Sequence, residues 1–182
     1  MAVLKVAENP CDTELALQNL CTYIIDEKKT AGMIGGRGIR PLYAFEDMLQ
    51  AQQLWRKEYG RRAYHMVYSF DDMEVIMPSE AMDIALLVSS LFFPTYQVLF
   101  GVHTGQEHLH IHFAINTVSL ADGKKLHLSY PLLRALREAA NQITQQYGIY
   151  TVLGNSVDAK FSVGGSDFDP QAHCFHSPFP KS

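Results

Sequence analysis

Leu15, Leu17, Leu20 and Ile24 recur at helical intervals behind Asp12 and Thr13, either of which can cap, and this pattern predicts a first helix. Phe45, Met48, Leu49, Gln52 and Trp55 repeat the spacing, with Gly60 placed to end a second helix. At 63–70 (AYHMVYSF) the period changes to two, which predicts a strand with Tyr64, Met66, Tyr68 and Phe70 on one buried face. Pro78 opens a helix carrying Met82, Ala85, Leu86 and Leu91. Segments 96–103 (YQVLFGVH) and 108–118 (HLHIHFAINTV) read as two further strands. Asp122-Gly123 marks a turn, 124–128 a short strand, and 132–147 an amphipathic helix closed by Gly148. Segment 31–41 holds Gly32, Gly35, Gly36 and Gly38 and reads as a loop. Helices flanking hairpin-prone strands predict an α+β fold with a central antiparallel β-sheet. One domain is expected over 1–158, followed by an irregular tail at 159–182 rich in Gly, Pro, Ser and His.

Composition narrows the class. Hydrophobic residues make up 47% and charged residues 19%, enough apolar material for a buried core and too little charge for wholesale disorder. No apolar run approaches the ~18 residues that span a bilayer. The opening MAVLKVAENP has no apolar stretch of the signal-peptide kind, so a cytoplasmic location without membrane insertion is expected. Cys11, Cys21 and Cys174 are odd in number and lack CxxC spacing, which argues against a disulfide framework or a cysteine zinc site. His173, Cys174 and His176 match no standard metal-site spacing.

The net charge of −4 hides an asymmetry. Residues 63–123 contain no Lys or Arg and carry a formal −7, while nine of the 15 basic residues lie before Ala63. A polyanionic partner would have to be held by that flank, where Lys28, Lys29, Arg37, Arg40, Arg61 and Arg62 are the candidates. Scattered Lys and Arg also have the plain reading of a solvated surface.

The chemistry concentrates in 103–116 (HTGQEHLHIHFAIN). On a strand His108, His110, His112 and Asn116 share one face, while Leu109, Ile111, Phe113 and Ile115 point into a core. Alternate residues stand ~6.7 Å apart and His108 and His112 ~13 Å, so one ion cannot readily collect all three from a straight strand. Metal–nitrogen bonds are only ~2 Å. A hairpin would bring His103 opposite His108 and diagonal to His110. His103, His110 and His112 are the preferred triad, and His103, His108 and His110 the competing one. Three neutral imidazoles leave open positions on an ion, the pattern of catalytic sites. His65 reads as a hydrogen-bonded core histidine, with support of a ligand as the alternative.

These residues resemble the motif of HUH-type relaxases, the relaxase and mobilisation nucleases of the VirD2-like, MOBP-type family: a His, a residue, usually Asp, then His-hydrophobic-His and a later Asn. Here that is His103, position 105, His110-Ile111-His112 and Asn116. Segment 61–70 resembles the strand before that motif, and 122–127 with the following helix resembles what comes after it. Tyr23 followed by Lys28, Lys29 and Thr30 is similar to the family's nucleophile motif. The resemblance covers roughly residues 15–150 and implies a single α+β domain, its central antiparallel sheet carrying the histidines and its helices covering the other face. It implies a divalent ion, manganese or magnesium, on His103, His110 and His112, with His108, Asn116 and Glu107 in support. It also implies attack by Tyr23 on single-stranded or hairpin DNA at an origin of transfer, leaving a 5′-phosphotyrosyl end that can be resealed. Accessory relaxosome proteins and a type IV secretion coupling protein would be partners. Position 105 is Gly where the family usually has Asp, so the task of orienting a ligand would pass to Glu107.

Two other functions fit the same residues. His108-Leu109-His110-Ile111-His112-Phe113-Ala114 satisfies the histidine-triad nucleotide hydrolase pattern, with His110 as nucleophile and no metal. That reading gives no task to Tyr23, His103 or Asn116. A degenerate relaxase domain that binds DNA without nicking is the third, and Gly105 is the feature in its favour.

Overall fold

A computed structural model describes residues 2–8, 10–70, 76–104 and 108–149. Gly105, Glu107, the boundary at 158 and the tail with His173, Cys174 and His176 lie outside them. In chain order the elements are β1 (Val3–Val6), α1 (Glu14–Ile24), α2 (Glu27–Thr30), β2 (Ile34–Arg37), α3 (Ala44–Leu54), β3 (Ala63–Ser69), α4 (Pro78–Phe92), β4 (Tyr96–His103), β5 (His110–Ser119) and α5 (Tyr130–Gln145). The strands form one sheet in the order β1-β3-β5-β4-β2, antiparallel at every pairing.

β5 lies at the centre, which is why its alternating side chains are covered on both faces. Ile111, Phe113 and Ile115 join Met66, Tyr68, Phe100 and Val102 in the larger core, against Ile84 and Val88 of α4 and Leu136 and Ile143 of α5. Burying each such side chain contributes ~1.5–3 kcal/mol. On the other face Ala114 and Leu99 pack against Leu17, Cys21 and Ile24 of α1 and Met48 of α3. Helices therefore cover both faces. The expectation that the histidine face lies bare of helices is corrected: Ala114 leaves room there for α1 and α3.

Several local expectations change for identifiable reasons. The glycine-rich segment contains β2, paired with β4 from Ile34↔Gly101 to Arg37↔Val98. Gly35 lies so close over the Phe100 ring, and Gly36 over Ile39, that a Cβ at either would collide; the glycines serve a close approach. β1, which the sequence pattern does not signal, adds to β3 as a short edge strand. Segment 124–128 makes only a single bridge, Val118↔Lys125. α3 stops at Leu54, because Arg56 takes a left-handed conformation before Gly60 is reached. In α1, Thr13 caps through Oγ1 to the Ala16 N–H at 3.1 Å, and the buried stripe is Leu17, Cys21 and Ile24. Leu15 falls off that stripe and is exposed, as is Leu86 in α4.

Candidate functional site

The register of β5 decides what meets what. His110 pairs with His103 of β4, and His112 pairs with Gly101. On the other side His112 pairs with Val67 and Ala114 with His65. Paired residues share a face, so His65, His103, His110 and His112 lie together, with α1 above them. His103 thus opposes His110, not His108. β5 begins at His110, and His108 precedes the strand with its ring 6.2 Å from that of His110.

Tyr23 sits in the last turn of α1, one residue before the buried Ile24, and is 37% exposed. Its ring centroid lies 5.1 Å from that of His103, 5.2 Å from His112 and 6.1 Å from His65. The His103 and His112 centroids are 4.2 Å apart, and those of His110 and His112 6.1 Å. Lys29 Nζ stands 4.0 Å from the centre of the Tyr23 ring, placing a cation beside the phenol.

Gly101 is what lets α1 come this close. A Cβ there would run into the Ile24 carbonyl oxygen and sit 3.3 Å from Thr30 Cγ2. α2 is held by the same contact: Thr30 is buried, and the Lys29 carbonyl accepts from the Thr104 N–H at 2.9 Å. The Lys-Thr pair is thereby fastened to the end of β4.

His103 Nε2 lies 3.2 Å from the Ile24 carbonyl oxygen. A carbonyl only accepts, so Nε2 carries the hydrogen and Nδ1 keeps its lone pair. Burial, reinforced by His103, His65, His110 and Lys29, pushes His112 down to about 3. Burial lowers His103 and His65 as well. Near neutral pH these rings are therefore uncharged nitrogen donors, the form in which imidazole binds a divalent ion. Among the described residues, no three His, Cys, Asp or Glu side chains are already drawn together as a metal cage. The donor set fits such an ion in chemistry, and His103 and His112 are the two closest of the preferred triad.

The remaining predicted site residues are dispersed. Asn116 is fully buried: its side-chain amide donates to the Gln97 Oε1 at 2.8 Å and the Met48 carbonyl, and its Oδ1 accepts from Gln52 Nε2 at 3.0 Å. Those partners fix α3 and β4. Arg62 is corrected as a surface phosphate contact, because it is buried and donates to Gln52 Oε1 at 2.8 Å. Arg40 is paired with Asp47 at 2.6 Å. Arg37 donates to the Pro94 carbonyl at the far end of the sheet, and the Arg61 guanidinium lies 4.8 Å over Tyr64. Of the six basic candidates, Lys28 and Lys29 follow the tyrosine by five and six residues in the chain, and Lys29 stands over its ring. His65 entered the cluster against expectation. The alternation of β3 put it opposite Tyr64 and Met66, but only the β3–β5 pairing shows what it faces.

Residues 23–149 match the family model for the nuclease domain of MobA/VirD2-like relaxases, and the match opens at Tyr23 itself. The chain belongs to this family. Similar proteins include two from Staphylococcus aureus, each called protein rlx, 31% and 29% identical over 107 residues, or 59% of this chain. The relaxase chain covers 33% and 34% of their lengths. Its fold is shared with the MobM relaxase domain (MOBV; Mob_Pre), solved bound to 26-nucleotide pMV158 oriT DNA. The TM-score is 0.60 at 10% identity, over 94% of this chain and 98% of that one. A second solved structure, concerned with the molecular basis of vancomycin resistance transfer in Staphylococcus aureus, matches at TM-score 0.53 and 9% identity, over 84% of this chain and 96% of that one. Membership of the relaxase family sets aside the nucleotide hydrolase. No helix among the described residues of this relaxase domain is long and apolar enough to cross a membrane.

Proposed function

We propose that this domain nicks and rejoins one DNA strand at an origin of transfer, with Tyr23 as nucleophile and a divalent ion, manganese or magnesium, held by His103, His110 and His112. The observation that carries the proposal is the Tyr23 ring lying 5.1 and 5.2 Å from the rings of His103 and His112. When bound, the ion would draw negative charge off the phosphate oxygens and so ease attack on an otherwise repellent phosphodiester. The Tyr23 oxygen bonds to phosphorus, the bond to the 3′ oxygen breaks, and the phenol proton ends on that departing oxygen. The products are a 5′-phosphotyrosyl strand and a free 3′-OH. The covalent link keeps the bond energy, so attack by a 3′-OH reseals the strand and returns the phenol. Lys29 offers positive charge beside Tyr23 for the approaching phosphate, with Lys28 its neighbour in the chain. The substrate is single-stranded or hairpin DNA, since a phosphate inside a duplex cannot reach histidines covered by α1. The reaction belongs to cytoplasmic plasmid or conjugative-element mobilisation, alongside accessory relaxosome proteins and a type IV secretion coupling protein.

The test is incubation with Mn²⁺ and single-stranded oligonucleotides tiling the DNA around the domain's own gene. A protein–DNA adduct that survives SDS is expected, and Tyr23→Phe should abolish it with binding retained. Binding with no adduct in the unaltered domain would support the non-nicking alternative instead.

A further inference from the structure

One close contact in the cluster has no part in the scheme above. His65 Nε2, reaching across from β3, lies 3.1 Å from His112 Nδ1, with the two ring centroids 5.3 Å apart and the planes 29° from parallel. Two neutral imidazoles at this separation share one hydrogen, and the tautomers decide which ring donates it. The two choices have opposite chemical consequences. If His65 Nε2–H donates, His112 Nδ1 spends its lone pair and Nε2 carries the ring hydrogen, so His112 has nothing left to give an ion. If His112 Nδ1–H donates, Nε2 keeps its lone pair.

We infer that His65 is a positioning residue: its Nε2 accepts the hydrogen of His112 Nδ1 and thereby holds His112 in the tautomer and ring orientation that present Nε2 to the ion. His103 is set in the same manner by the Ile24 carbonyl, with its two nitrogens exchanged. Each of the two closest histidines thus has one nitrogen tied down by a neighbour and the other free. Position 105 is Gly and has no side chain with which to do this work. β3 supplies it instead, from a residue that pairs one step along the strand, opposite Ala114. The inference rests on the metal-site reading of His112, and its test separates the two.

The decisive measurement needs no variant. Ring ¹⁵N chemical shifts of the metal-free domain report which nitrogen of His112 carries hydrogen. Hydrogen on Nδ1 is expected; hydrogen on Nε2 overturns the inference. Calorimetric titration with Mn²⁺ then compares the unaltered domain with His65→Gln, whose amide oxygen can occupy the acceptor position, and His65→Leu, which has no acceptor. Mn²⁺ affinity should fall ~10–100-fold in His65→Leu and recover to within a few-fold in His65→Gln. Equal affinities in all three, or a Gln variant as weak as the Leu variant, would refute the role. Failure of the unaltered domain to bind Mn²⁺ while His112 carries hydrogen on Nδ1 would refute the metal-site reading and leave the hydrogen-bond assignment standing.

Discussion

His103 ends β4 and also touches α1, and no other histidine among the described residues has both positions. Its Nε2 is engaged by Ile24, its Nδ1 is free, and its ring is the nearest to His112. His108 lies before β5, with its ring 6.2 Å from that of His110. His103→Ala should therefore reduce Mn²⁺ affinity by roughly 100-fold or more, whereas His108→Ala should cost less than about 10-fold. Calorimetric titration of both variants reads the difference, and the reverse ranking would favour the triad of His103, His108 and His110. At this scale much was legible. His103, His110 and His112 stand out because imidazoles at alternate strand positions are costly without a task. Tyr23 is picked out only by the resemblance to relaxases, and the fold brings the Tyr23, His103 and His112 rings together. His65 was not legible in the same way. A single histidine on a strand says which face it occupies, but the residue it meets depends on strand order, and strand order is set by packing at a distance.

Among the elements, the contact of α1 with β4 controls the site. Gly101→Ala would drive a methyl group into the Ile24 carbonyl and the Thr30 methyl. The helix end must lift, at a cost of ~1–3 kcal/mol, and it takes Tyr23 with it. The expected outcome is a small drop in melting temperature with a disproportionate loss of DNA adduct; a variant that loses stability but keeps its adduct rate would show that the tyrosine is positioned otherwise. The clasp between α3 and the sheet behaves differently. Asn116→Ala leaves Gln52 and Gln97 without their shared partner in a buried place, a penalty of ~1–3 kcal/mol. Thermal unfolding should show the loss, at ~2–4 °C per kcal/mol, while Mn²⁺ titration of the folded variant stays unchanged. The helices and central strands were readable from their periods. β2 was hidden because Gly35 and Gly36 carry no side chains to alternate, and its strand character comes wholly from pairing with β4.

For the whole molecule, the sheet has a sequestered side and a chemical side. The large core with α4 and α5 makes one face dry, and the small core under α1 and α3 covers the other only in part. The charge asymmetry in the sequence follows this division in outline. The stretch without Lys or Arg spans the central strands, and Lys29, from the amino-terminal flank, stands over the Tyr23 ring beside the histidines. Which of the other basic residues face solvent could not be read from composition. Arg62 looks like a surface cation in sequence and is instead consumed by Gln52 inside the fold.

The short reach from His103 Nε2 to the Ile24 carbonyl would also make the scaffold of the proposed nucleophile and the proposed cation site two ends of one lever. If an ion bound at His103 favours the ring position that bonds to Ile24, reciprocity makes that coupling free energy appear equally as a firmer last turn of α1. Manganese should therefore slow hydrogen–deuterium exchange of the Ile25 amide, which bonds to the Cys21 carbonyl, before any DNA is present. If exchange there is indifferent to manganese, the tyrosine is poised independently of the ion, and the order in which cation and strand arrive ceases to matter.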